Sequence, residues 1–172
     1  MSYILKSKEN LHFYFYSILS GMSFIVSGHV EKDVIYQVLY ANITTYLSAV
    51  SFLIICSLKI SRNLHIRDDL IIRLGYTKFI FTQYATTLIM GILYLTSQLF
   101  IAFSFGEILI KEKFSIAVWA IIFYCCVIFF LLFILNLANW HIKSIYTVLC
   151  SIFLIFIFHY GYCLAILTTY YL

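Results

Sequence analysis

Charge is what this sequence has least of. Asp, Glu, Lys and Arg together make up 10% of its 172 residues, against about 25% in an ordinary soluble domain. Proline is absent and glycine occurs 6 times. Hydrophobic residues reach 64% and aromatics 20%, with 17 Phe and 15 Tyr. So few charges could not cover a water-soluble fold of this size, and so much apolar surface could not be hidden inside one. A soluble enzyme, a disordered tail, a coiled coil and a nucleic-acid-binding domain are therefore excluded. The net charge of +4 is modest. Its distribution reads as membrane orientation, with no affinity for nucleic acid implied.

Several chemical motifs are missing as well. There is no GxxxxGK[ST] loop, so the chain cannot cradle ATP phosphates itself. There is no HExxH, no CxxC and no pair of acidic residues within an apolar stretch. The five cysteines (Cys56, Cys125, Cys126, Cys150, Cys163) all fall in apolar stretches and read as packing residues. Their number and spacing give no disulfide framework. No internal repeat, low-complexity tract or soluble domain is visible. The residues after the first apolar stretch show no small-x-small cleavage site leading into a polar chain, so that stretch reads as a permanent helix.

What is present is a set of long charge-free runs: 34–58, 79–106, 114–142 and 144–172, with a shorter one at 10–30. A helix needs roughly 18–20 residues to cross about 30 Å of hydrocarbon. One Arg or Asp at mid-membrane costs about 2.5–3.5 kcal/mol on insertion scales. The expected fold is an all-α membrane protein, a bundle of five transmembrane helices over 11–28, 35–58, 79–103, 115–137 and 145–172. Residues 59–78 form the loop between the second and third. Runs such as 121–135 are apolar on all sides, which excludes the alternation of a membrane β-barrel strand. The last stretch, 28 residues long, exceeds what a bilayer requires. It reads either as one tilted helix or as a hairpin broken near His159–Tyr160–Gly161, which would make six spans. The whole chain is one membrane domain.

With the N-terminus in the cytoplasm, Lys6, Lys8, Lys59, Arg62, Arg67, Arg73, Lys78 and Lys143 lie inside; Lys32, Lys111 and Lys113 lie outside. Eight against three agrees with the positive-inside rule and places the chain in the plasma membrane in that orientation. Five spans would then leave Tyr170 and Tyr171 in the outer aromatic belt.

The segment 59–82, KISRNLHIRDDLIIRLGYTKFIFT, is the longest polar interruption. Asp68 or Asp69 is expected to cap a short helix over 70–74, where the helix dipole favours a negative charge. Gly75 is a natural stop, expected in the left-handed conformation after the last turn. Thr77 is expected to cap the next span. One reading of this segment is a basic loop held on anionic lipid heads. Another is a docking element for a cytoplasmic partner.

Arg73-Leu74-Gly75-Tyr76-Thr77-Lys78-Phe79, opening directly into a span, resembles the loop between the second and third spans of type-2 ABC (ATP-binding-cassette) exporter permeases. Those permeases show an Arg, a small hydrophobic residue, Gly, a Ser or Thr and a basic residue before an aromatic that enters the third helix. The resemblance covers about a quarter of the chain. It implies a bacterial permease subunit, acting as a homodimer or with a second permease chain, of the kind found in bacteriocin or peptide export and self-immunity. ATP and Mg would be bound by a separate cytoplasmic ABC ATPase, with no cofactor in this chain. Asp68, Asp69, Arg73, Gly75 and Lys78 would form the element that couples to that ATPase.

Within the spans, Asn42, Thr44, Thr45 and Ser48 form a polar cluster suited to close helix packing or to lining a translocation path. His159 is the one histidine well inside a span. It is either a substrate or proton site or a neutral interhelical hydrogen-bonding group. Asn42, Thr45 and His159 are thus the candidate path residues. The alternative function is a small immunity or accessory subunit without transport of its own. An intramembrane enzyme is disfavoured, since no span carries a carboxylate.

Overall fold

The computed structural model describes residues 8–22, 44–105, 114–140 and 142–164. Asn42, Tyr170, Tyr171, residues 23–43 and residues 165–172 lie outside them. The described residues are helical apart from the short junctions at Ile66, Gly75 and 142–143, with no strand among them. Helix α1 is Lys8–Met22. A π-wound segment, Thr44–Ala49, leads into α2, Val50–His65. A short helix α3, Arg67–Leu74, is followed by the long α4, Tyr76–Phe105. Helix α5, Phe114–Asn136, ends in a 3-10 turn, Leu137–Trp140. Helix α6, Ser144–Ile157, continues as a second π-wound segment, Phe158–Leu164.

Four stretches are long and apolar enough to cross a membrane: Leu47–His65, Tyr76–Ile101, Ile121–Trp140 and Ser144–Gly161. These four correspond to the second, third, fourth and fifth expected spans. Of the first expected span, 11–28, only the part that falls in α1, 11–22, is described.

Side-chain contacts fix the directions of the helices. Thr87 of α4 meets Asn136 of α5, Gly91 lies against Leu132, and Gln98 meets Tyr124. The numbers fall on one helix as they rise on the other, so α4 and α5 are antiparallel. The same holds for α2 and α4, where Asn63 meets Gln83 and Phe52 meets Tyr94. Helix α1 runs alongside α4 at close range. A Cβ placed on Gly21 would fall on the Ser97 hydroxyl and 2.7 Å from the Tyr94 carbonyl oxygen. Glycine is required there because only a bare backbone allows that approach, the small-residue packing usual between membrane helices.

The core is apolar at its centre. Phe52, Leu53, Met90, Ile128, Leu132 and Ile155 are buried. Phe52 stacks on Tyr94 with ring centroids 4.2 Å apart and planes 10° from parallel. The outer faces are equally apolar: Leu58, Phe81, Phe100, Trp119, Phe133 and Phe153 are exposed. A helix apolar on every side needs no inside-outside contrast in hydrocarbon, so lipid is the natural cover for those faces.

Four expectations about boundaries are corrected. The second span does not stop at residue 58; its helix continues to His65. Lys59 does not break it, because its side chain is buried with the ammonium 5.3 Å from the centre of the Phe13 ring. A cation over an aromatic face, on an apolar stem, can be carried inside a bundle. The short helix begins at Arg67 with Ile66 at its N-cap and no side-chain cap, so Asp68 and Asp69 stand in its first turn. They still suit the positive end of the dipole. Thr77 does not start α4, whose first turn begins at Tyr76; the Gly75 carbonyl accepts from the Phe79 amide at 3.0 Å. At the other end of the chain, the helix does not fold back at His159–Tyr160–Gly161. It loosens there from α to π winding and runs on to Leu164.

Candidate functional site

The element singled out in the sequence is a separate structural unit. Helix α3 buries none of its residues. Asp68, Asp69, Arg73, Gly75 and Lys78 are all exposed. The structure therefore gathers all five on one accessible segment at one end of the bundle. Asp68 and Asp69 lie in the first turn and Arg73 in the last, each matching the dipole at its end. Ile72, in the middle of the helix, is 83% exposed.

Gly75 holds the corner. Its backbone has φ 81° and ψ 149°, a positive φ without the ψ of the expected left-handed turn. That region is open to glycine alone. Its N–H donates to the Ile71 carbonyl at 2.8 Å, closing α3. Its carbonyl opens α4. One residue is thus the last hydrogen-bonded partner of the short helix and the first of the long one.

Beneath this corner lies a buried polar cluster. Lys59 Nζ donates to Asn63 Oδ1 at 3.2 Å, and Asn63 Nδ2 donates to Gln83 Oε1. Asn139 Nδ2 donates to Asn136 Oδ1 at 3.3 Å. Asn136 Nδ2 is shared between Thr87 Oγ1 at 2.9 Å and the Leu132 carbonyl at 2.8 Å. Thr87 Oγ1 is 3.0 Å from the Tyr84 carbonyl and 3.2 Å from that of Gln83. Gln83, Thr87, Asn136 and Asn139 are each at most 2% exposed. The cluster joins α2, α4 and α5 just inside the end that carries α3.

A second network crosses the half of the bundle away from α3. Ser48 Oγ lies 2.8 Å from the Ser20 carbonyl and 3.1 Å from Tyr94 Oη. Tyr94 Oη is 3.1 Å from Tyr124 Oη, which donates to Gln98 Oε1 at 3.3 Å. It ties α1, the Thr44–Ala49 segment, α4 and α5 together.

The candidate path residues are not assembled with the α3 end. Thr45 stands in the first π-wound segment and His159 in the second, both in the far half. His159 is buried, with its ring edge-on to Tyr160 at 5.2 Å. Asn42 is outside the described residues. Sequence reasoning missed Gln83, Gln98, Asn136 and Asn139, because they are uncharged and sit inside long apolar runs. A signal was available. On α4, Gln83, Thr87, Tyr94 and Gln98 recur at spacings of four and seven, one face of a helix.

Among the described residues no group of three or more His, Cys, Asp or Glu could hold a metal ion. No protein-family model matches the chain, nor does any characterised protein or solved structure.

Proposed function

We propose that this chain is the membrane-spanning subunit of an ATP-driven ABC exporter, moving a hydrophobic peptide or lipid-like cargo. ATP is bound and hydrolysed by a separate cytoplasmic subunit, with a second copy or a second permease chain completing the pore. The observation that carries the reading is α3 itself: a charged helix with no buried residue, joined to a 30-residue helix through a single glycine. A helix with no buried residue offers its outer face to a partner. Its direct junction with α4 turns any displacement of the short helix into a displacement of the long one. The resemblance of residues 73–79 to the permease loop supplies the kind of partner. The cluster under the corner gives α4 polar contacts to α2 and α5 that could be exchanged as it moves, in keeping with packed bundles that switch between discrete arrangements.

The test is co-purification from native membranes. The wild-type chain is expected to bring down a protein carrying a Walker motif. Arg73→Glu with Gly75→Leu is expected to lose that protein while the chain still inserts in the membrane. Retention of the ATPase by the double variant would refute the coupling role. Recovery of another membrane protein and no ATPase would favour an accessory or immunity subunit instead.

A further inference from the structure

The two halves of the cluster under α3 are directional, and their directions are forced. Lys59 carries an ammonium, which only donates. Asn63 must therefore turn Oδ1 toward it and Nδ2 toward Gln83. Gln83 must then receive that amide on Oε1, which leaves its Nε2 pointing elsewhere. On the other side, the Leu132 carbonyl only accepts. Asn136 must turn Nδ2 toward it and Oδ1 toward Asn139. Asn139 must donate through Nδ2, which leaves its Oδ1 pointing elsewhere. Both remaining atoms are buried and neither has a hydrogen-bond partner among the described residues. Gln83 is 2% exposed and Asn139 0%.

The two are joined through one set of hydrogen bonds. Thr87 Oγ1 lies 3.2 Å from the Gln83 carbonyl, Asn136 Nδ2 donates to Thr87 Oγ1 and Asn139 Nδ2 donates to Asn136 Oδ1. One donor and one acceptor, each without a mate, thus close the two ends of that set. Gln98 in the far half is different. Its Nε2 also lacks a partner, but its amide has no forced sense: as placed it accepts from Tyr124 on Oε1, and turned it would donate to the Tyr124 oxygen through Nε2 and leave Oε1 over instead. No such turn is open to Gln83 or Asn139 without setting two donors or two acceptors face to face.

We infer that Gln83 and Asn139 form an intramembrane binding site for an uncharged group that accepts one hydrogen bond and donates another. Gln83 Nε2–H donates to the ligand and Asn139 Oδ1 accepts from it. A carboxylate or phosphate would meet the lone pairs of Asn139, and an ammonium would meet the N–H of Gln83, so the pair selects against both signs of charge. Water and the peptide amide are the two sources of that chemistry. A buried water satisfies polar groups in this way when two to four partners surround it. A peptide group offers the same donor and acceptor on adjacent atoms. The inference does not depend on the exporter reading; it rests on the hydrogen-bond directions alone.

The chain contains three glutamines, Gln37, Gln83 and Gln98. Protein labelled with 15N at the glutamine side chains, in lipid nanodiscs, gives one amide pair for each by NMR. Gln83→Leu and Gln98→Leu assign them. The expected result is a cross-peak from the Gln83 amide protons to a long-lived water. If the site also takes peptide groups, N-methylacetamide produces a saturable shift at Gln83, with the water cross-peak lost in step; no such shift assigns the site to water. Both effects are lost in Asn139→Leu and kept in Asn139→Asp, which retains the acceptor. Absence of both effects in the wild-type protein overturns the inference, whatever the variants do. So does an equal effect at Gln98, which would mark general access of solvent, or persistence of the effect in Asn139→Leu.

Discussion

The Tyr94 side chain offers a clean separation of what a ring and a hydroxyl contribute inside this bundle. Tyr94→Phe removes the hydroxyl and keeps the stack on Phe52 at 4.2 Å. The proton count limits the loss. Tyr124 donates to Gln98, and the nearer acceptor of Ser48 is the Ser20 carbonyl at 2.8 Å. Both of those bonds survive. Tyr94 has one proton to give, either to Ser48 or to Tyr124, so one hydrogen bond goes with it. Hydrogen bonds between membrane helices average about 0.6 kcal/mol and reach about 1.7. Tyr94→Phe should therefore cost about 0.6 kcal/mol. Tyr94→Ala also deletes a fully buried ring, and large-to-small core changes of that size cost about 3–5 kcal/mol. The pair is to be measured by steric trapping or by denaturant unfolding in mixed micelles. A Tyr94→Phe loss equal to that of Tyr94→Ala would show that the hydroxyl network carries the stability, and the ring-stacking account would fall.

Gly21→Val should push α1 off α4, since its Cβ would meet the Tyr94 carbonyl oxygen at 2.7 Å; about 1–3 kcal/mol is expected, read as faster hydrogen exchange along α1. Gly75→Ala places a side chain at φ 81° and should strain only the corner, by about 1–3 kcal/mol; exchange should rise in α3 while α5 and α6 stay protected. Asn136→Leu removes donations to Thr87 and Leu132 and leaves Asn139 Nδ2 without its acceptor, a loss of about 1–2 kcal/mol at the per-bond values of membrane helices. A variant with Lys78→Cys as its one cysteine should react with an impermeant maleimide in inside-out vesicles and stay unlabelled in intact cells; labelling in intact cells would reverse the orientation read from the Lys and Arg count.

The sequence by itself determined the medium and the secondary structure. The cost of placing a charge in hydrocarbon is paid residue by residue, so a charge-free run declares itself without knowledge of its neighbours. Residues 79–103 and 115–137 were legible in this way; α4 covers the first, and α5 with its closing 3-10 turn the second. The same reasoning failed at Lys59, because its ammonium is held by Phe13 and Asn63, and the Phe13 partner lies 46 positions away. It also misjudged the caps, since Gly75 serves both α3 and α4 and leaves nothing for Thr77 to do. The tertiary structure alone decided which uncharged polar groups meet. Gln83, Asn139, Tyr94 and Tyr124 read as ordinary members of apolar runs until the register of α4 against α5 brings them to common levels. A hydrogen bond is a property of two groups and their relative placement, and helix register is settled only when side chains such as Gly21, Gly91 and Leu132 have packed.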